Sequence, residues 1–285
     1  MSPDVSTRIA RLFCYPVKSC AGVELAQADL AETGLDLDRA WMVVDEDGEF
    51  VSQRELPRMA LVRPQIKLSE VVLRAPGMLA LHLAVDTVES PRRVRVWDDE
   101  VDAWDMGDLA AQWFSDFLGQ RLRLVRFDPE VRRLSSRQWT GTLEAPNQFS
   151  DGFPLLVVSE GSLAELNRRL AEAGHAAVGM ERFRPNIVLA GLEAQDEDRL
   201  GALRILTGDA EVLLRPVKPC PRCPMPDIDP ATGVPSPEVG DTLRRYRANE
   251  RVGDAVSFGM NAVIVAGVGQ RLAVGQAVEA GWQFD

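Results

Sequence analysis

The sequence predicts a mainly β, α+β protein, and three observations carry that expectation. Short apolar or alternating runs are cut repeatedly by turn residues, so the two-residue side-chain period of strands recurs along the chain. The 3.6-residue period of a helix stands out in few places, chiefly around 109–118 and 162–170. Of the 285 residues, 46% are hydrophobic and 26% charged, enough apolar material for one large core or two smaller, intimate ones.

Taken in order, strands are expected over 8–13, 23–30, 40–45, 50–53 and 60–68, with Glu46-Asp47-Gly48-Glu49 as a hairpin turn in which Gly48 takes positive φ. The pattern continues through 71–74, 79–85 and 93–97 around Pro76-Gly77. The period then changes. Leu109, Trp113, Phe114, Phe117 and Leu118 fall on one face of a helix opened by Asp105 or Asp108 and stopped by Gly119, and that aromatic face reads as core. A strand follows at 121–127 and a buried one at 155–158. Ser162-Leu163-Ala164-Glu165 reads as a capping box starting a helix with Leu163, Leu166 and Leu170 inward and Gly174 as its stop. Further strands are expected at 186–190, 203–206, 212–215, 262–265 and 272–278.

Composition also narrows the function. A formal net charge of -11 repels phosphate backbones and anionic lipid surfaces, so neither nucleic acid nor a membrane is expected as a partner. No uninterrupted apolar run reaches the roughly 18 residues of a membrane helix. The start, MSPDVSTRIARLF, lacks the charged-then-apolar order of a signal peptide, and a cytoplasmic location is expected. There the four cysteines, Cys14, Cys20, Cys220 and Cys223, are expected as thiols or ligands rather than a disulfide framework.

The richest segment runs from Arg215 to Gly233. Prolines at 216, 219, 221, 224 and 226 forbid a regular helix and stiffen the backbone that presents Cys220 and Cys223. Lys218 and Arg222 flank the thiols, a setting that favours the thiolate needed to bind a soft metal or attack an electrophile. A zinc knuckle would need two more ligands. Cys14 and Cys20 are wrongly spaced for one, and His82 and His175 stand alone. A thioredoxin-like pair would open a helix, which this proline-rich loop opposes. Spacing alone leaves a real site and buried structural cysteines both open.

The motifs around that loop go further. Cys220-Pro-Arg-Cys223 followed by Asp229-Pro-Ala-Thr-Gly233 resembles the core motif of the MOSC superfamily, the molybdenum cofactor sulfurase C-terminal domain. Tyr15-Pro-Val-Lys-Ser-Cys-Ala-Gly22 and Asp38-Arg-Ala-Trp41 resemble the β-barrel domain that precedes MOSC in the amidoxime-reducing proteins and their bacterial relatives. Arg182-Phe-Arg-Pro-Asn-Ile-Val188 is similar to the family's arginine-proline-asparagine strand entry, and Phe258-Gly-Met-Asn261 to its closing element. Five motifs in the family's order span nearly the whole chain. The resemblance implies an N-terminal β-barrel domain over 1–125, a MOSC β-barrel domain with a few helices over 126–285, and a cofactor cleft between them.

It also implies roles. Cys223 is carried over as the molybdenum ligand and catalytic residue, with Cys220 and Arg222 as neighbours in the loop. Lys18, Ser19 and Arg39 match positions that hold the phosphate and ring of the molybdenum–molybdopterin cofactor from the first domain; Arg184 and Asn186 match contacts from the second. Asp151 and Gly152 match a lining loop. A dianionic phosphate needs cations and fixed donors, so the residue types suit the task. Each also has a plainer reading: a solvated lysine at 18, a surface pair of Arg39 with Asp36 or Asp38, a charged rim of Arg184 with Glu181, a turn cap at Asn186. Pro221 stands where the family often has Ser or Thr, which removes a hydroxyl and a backbone N–H.

The implied activity is reduction of small N-hydroxylated or related N-oxygenated molecules. No nucleotide fingerprint or ferredoxin-like cysteine run is present, so electrons are expected from a separate protein: a flavoprotein reductase, a ferredoxin or a cytochrome b5-like carrier. The rival is a non-catalytic carrier of molybdenum cofactor or sulfur.

Overall fold

The computed structural model describes residues 4–208 and 210–284. Its centre is a closed barrel of seven strands. Going round it, Leu155–Ser159 lies beside Ile187–Ala190, then Val5–Cys14, Ala277–Trp282, Leu200–Thr207, Ala210–Pro221 and Ala255–Ala266, which pairs back with Leu155–Ser159. The first strand of the chain is thus built into a barrel whose other members come from beyond residue 150. All neighbours are antiparallel except Leu155–Ser159 with Ile187–Ala190.

Side-chain alternation explains the barrel's two faces. Leu155 and Val157 point into the core with Ile187, Leu189, Leu203, Ile205, Val212, Leu214 and Val278. Leu156, Val158 and Val188 point outward, where the helices Glu160–Glu172 and Glu238–Arg244 cover them with Leu166, Leu170, Val239 and Leu243. Because both faces are covered, Leu155–Ser159 is buried throughout, and its continuous apolar run follows from that. A register shift between Ile9 and Arg11 lets Val5, Ile9 and Leu12 share the interior, although strict alternation would turn Ile9 and Leu12 to opposite faces.

The second region joins a four-stranded sheet, in the order Trp41–Val44, Arg123–Phe127, Asp99–Asp105, Ser90–Val96, to a three-stranded one of Arg63–Ile66, Glu70–Arg74 and Leu81–Ala84. The helix Gly107–Leu118 packs Trp113, Phe114, Phe117 and Leu118 against Trp41, Val43, Val71 and Leu83. It ends where Gly119 turns left-handed at φ 81°, as the sequence predicts.

Several expectations need correcting. Leu109 is 76% exposed, because in the first turn it is Gly107 and Ala110 that face the core. The helix expected from Ser162 begins at Glu160 with Ser159 as its cap, accepting from the Ser162 N–H; Ser162 instead donates its hydroxyl to buried Glu197. Residues 50–53 form no strand, Phe50 making a single bridge to Val44. Residues 57–61 are a short 3₁₀ helix. The run 23–30 breaks into Val23–Leu25 and Gln27–Ala31, and 272–278 breaks at a turn through Gly275 at φ 91°. Among the described residues no helix is long and apolar enough to cross a membrane.

Candidate functional site

The proline-rich segment is not a free loop. Ala210–Pro221 is a 12-residue strand whose pairing with Ala255–Ala266 slips between Pro216 and Lys218 and again between Pro219 and Pro221. Prolines cannot donate to a ladder, and irregularities of pairing are where a strand accommodates them. The strand therefore delivers Cys220 at its end, and Cys223 follows before the short 3₁₀ turn Met225–Asp227. Both thiols are partly exposed in a cleft of about 170 Å³ beside the barrel seam where Leu156 and Lys218 each pair with Asn261.

Every residue matched to the cofactor from the sequence lines this one cleft, whereas Cys14, Cys20, His82 and His175 do not. Lys18, Ser19 and Arg39 come from the segment between the first strand and Trp41; Asp151 and Gly152 from the approach to Leu155; Arg184 and Asn186 from the approach to Ile187; Cys220, Arg222 and Cys223 from the cysteine segment. Of the non-glycine residues with positive φ, Ser19 (65°), Arg39 (53°), Trp97 (56°) and Arg184 (58°) also line it. Each such backbone costs on the order of 1–3 kcal/mol, so strain gathers at this wall.

The plain readings of these residues do not describe what is found. Lys18 is buried, its Nζ donating to the Phe149 carbonyl at 2.8 Å and to Asp151 Oδ1 at 2.5 Å. Burial pulls the Lys18 ammonium down from the usual lysine range, and the Asp151 charge only partly restores it. Loss of solvent along the cleft wall works to raise the Asp151 carboxyl, whose side chain is still 68% exposed, but Lys18 and a hydrogen bond from the Trp97 indole N–H outweigh it and hold the group well below the usual carboxylate range. Arg39 donates to Asp38 at 2.5 Å, but with side chains only 13% and 2% exposed this is no surface pair.

Arg39 and Arg184 crowd together. Their guanidinium carbons stand 4.4 and 4.3 Å from the centre of the Tyr15 ring, and Arg39 also donates to the Arg184 carbonyl at 3.0 Å. The Arg184 side chain donates to the Cys20 carbonyl at 2.5 Å and leaves Nη2 buried without a partner; Glu181 is met only by the backbone, the Arg184 N–H donating to its carbonyl at 3.3 Å. Burial, with the like charge of Arg39, pushes the Arg184 guanidinium down to about 10. Arg222 donates to Cys220 Sγ at 3.1 Å and to the Phe183 carbonyl at 3.1 Å, with Nε left buried and unpaired. Asn186 spends its side chain structurally, accepting from the Leu156 N–H at 3.1 Å and donating to the Phe13 carbonyl at 3.3 Å.

The cleft thus gathers six cations, Lys18, Arg39, Arg54, Arg184, Lys218 and Arg222, around the single lining carboxylate of Asp151. Orphaned donors and excess guanidinium charge suit it chemically to an anion. Among the described residues no three His, Cys, Asp or Glu side chains come together to cage a metal, so the protein's own offer to a soft metal here is a thiol. The sequence reading missed Phe50, Arg54 and Trp97 on this wall, since none belongs to a motif. Lys218 and Asn261 belonged to quoted segments but were not assigned a site role.

The MOSC N-terminal beta barrel domain matches residues 6–121 and the MOSC domain residues 144–279. The chain is 36% identical to "Mitochondrial amidoxime reducing component 2" of Homo sapiens, over 84% of this chain and 72% of that protein. It is 29% identical to "Molybdenum cofactor sulfurase" of Homo sapiens, over 88% of this chain but 29% of that one. Among solved structures, the YUAD protein from Bacillus subtilis aligns over 99% of this chain and 98% of its own with a TM-score of 0.47 and 9% identity. The chain belongs to the MOSC-domain family that includes the amidoxime-reducing components.

Proposed function

We propose that this protein binds a molybdenum–pterin cofactor in the cleft and reduces small N-hydroxylated compounds, drawing electrons from a separate redox protein. The observation that carries the reading is the convergence of a partly exposed Cys223 with buried, under-partnered guanidinium groups in one cleft. The donor set fits the group. Arg39, Arg184 and Lys18 offer fixed positive charge to a phosphate, Arg184 Nη2 and Arg222 Nε have donor capacity to spare, and Cys223 would hold the metal through its sulfur. When bound, such a cofactor supplies two-electron chemistry that takes an oxygen from an N–OH group.

The chain's own part is positioning. Tyr15 braces Arg39 and Arg184 through its ring, and the Asp38 carboxylate steers Arg39. Arg222 ties the Cys220 sulfur to the Phe183 carbonyl, fixing the backbone from which Cys223 projects. The amidoxime-reducing activity in the relative's name supports the substrate class. The electron donor is expected among flavoprotein reductases, ferredoxins and cytochrome b5-like carriers.

The test is molybdenum and pterin content of protein made in a cofactor-producing host, followed by benzamidoxime reduction with an artificial electron donor. Near-stoichiometric metal and turnover are expected. Well-folded protein lacking both metal and pterin, under conditions that load a known molybdoenzyme, would overturn the reading.

A further inference from the structure

Trp97 occupies a position its fold does not explain. Ser90–Val96 and Asp99–Asp105 form a hairpin in which Val96 faces Asp99, leaving Trp97 and Asp98 as a two-residue turn. Trp97 takes φ 56° there. Such turns favour Gly, Asn or Asp at left-handed positions, and a bulky aromatic there is a genuine outlier. The turn would form more readily without it. The residue is 41% exposed, yet its indole is fixed in place, donating Nε1–H to Asp151 Oδ1 at 3.1 Å and lying 4.9 Å from the Phe50 ring.

Arg54 lies over this indole, its guanidinium carbon 4.6 Å from the ring centre. Its Nε reaches Ser52 Oγ at 3.0 Å and comes within 3.7 Å of Glu55. Its two terminal nitrogens make no hydrogen bond among the described residues. The other cleft guanidiniums, Arg39, Arg184 and Arg222, each donate through a terminal nitrogen to a backbone carbonyl. Arg54 is therefore a planar fork backed by an aromatic ring, its charge offset by Glu55 only at 3.7 Å and its terminal nitrogens open to the cleft.

We propose that Trp97 and Arg54 form the substrate-recognition wall of the cleft, selecting planar N-oxygenated compounds that carry an oxyanion such as a carboxylate. This rests on the reductase reading for the N-oxygenated part. The ring of Trp97 offers a flat apolar surface to the planar body, and the free fork of Arg54 takes the anionic end. The strained hairpin tip is then the cost of holding an aromatic at that spot.

The experiment compares benzamidoxime with 4-carboxybenzamidoxime on the cofactor-loaded protein, by calorimetric binding and by steady-state kinetics. The carboxylated probe is expected to bind the unaltered protein about tenfold or more tighter. Arg54→Gln should abolish that preference through KM rather than kcat, and Arg54→Lys should restore only part of it, because a point charge lacks the fork. Trp97→Gly should weaken both probes by about tenfold while the melting temperature holds or rises, since glycine relieves the turn. Pterin content should be unchanged in all three variants. Equal affinity of the unaltered protein for the two probes, or a preference that survives Arg54→Gln, would overturn the proposal. Pterin loss in Arg54→Gln would assign the fork to the cofactor and overturn it as well. Failure of the reductase reading would appear as binding selectivity without turnover.

Discussion

Two pairs of cysteines lie in this chain, and their surroundings differ completely. Cys14 and Cys20 are fully buried, Cys14 with its Sγ 3.5 Å from the Asp36 carbonyl and Cys20 packed among Val17, Trp41 and Met59. Burial pushes the Cys14 thiol well above its ordinary range and the Cys20 thiol up to about 12. Cys220 and Cys223 stand partly exposed in a cationic cleft, with Arg222 on one sulfur. The same side chain is thus packing material in one place and an available ligand in the other. Access and neighbouring charge, more than spacing, decide which.

That contrast can be broken by substitution. The largest effect is expected from Cys223→Ala, which should reduce molybdenum content and reductase activity to near background. Cys20→Ala should keep the metal and cost stability alone, about 1–3 kcal/mol in denaturant unfolding. Metal retained by the first variant, or lost from a folded second one, would reverse the assignment. Alkylation sharpens the same point: in cofactor-free native protein Cys220 and Cys223 should be modified on the order of 100-fold faster than Cys14 and Cys20, as read by peptide mass spectrometry. Equal rates would mean that the buried pair is reached by easy local opening.

The cationic wall gives a smaller effect. Arg184→Ala should weaken pterin retention by roughly 10- to 100-fold, the worth of a charge-assisted hydrogen bond. Unchanged pterin content would leave Arg184 a structural brace for Tyr15. The smallest effect concerns acid stability. Lys18 holds the Asp151 carboxyl below its unfolded value, so the pair's contribution is complete above about pH 4 and fades as pH falls through the folded value. With Asp151 68% exposed on its side chain, Asp151→Asn should lower the melting temperature slightly at pH 7 and not at all at the acid end. An equal loss at both pH values would point to packing instead of charge.

Much of this architecture is legible in the sequence where one periodicity or one motif suffices. The aromatic face from Trp113 to Leu118 with its glycine stop marks its helix, and the cysteine segment with its distant companions marks the cleft. Other features exist only in pairing. The expected strands omit Asp99–Asp105, which becomes one only when Val101 and Ala103 turn inward and Asp102 meets Arg93 at 2.9 Å across the hairpin. Ser162 looks like a cap because its partner Glu197 is remote in sequence. Arg54 and Trp97 carry no motif, and only the folded hairpin shows that they touch.

The placement of Val5–Cys14 has a consequence for synthesis. Val5–Cys14 is hydrogen-bonded between Ile187–Ala190 and Ala277–Trp282, so once made it must wait, with Ile9 and Leu12 uncovered, until both of these later strands have left the ribosome. Ring closure is therefore a late, long-range event, and such pairings are slow to form. A fragment holding only residues 144–279 would lack a stave of its own barrel and expose two unpaired edges, an aggregation hazard in any expression experiment that treats the matched segments as separable.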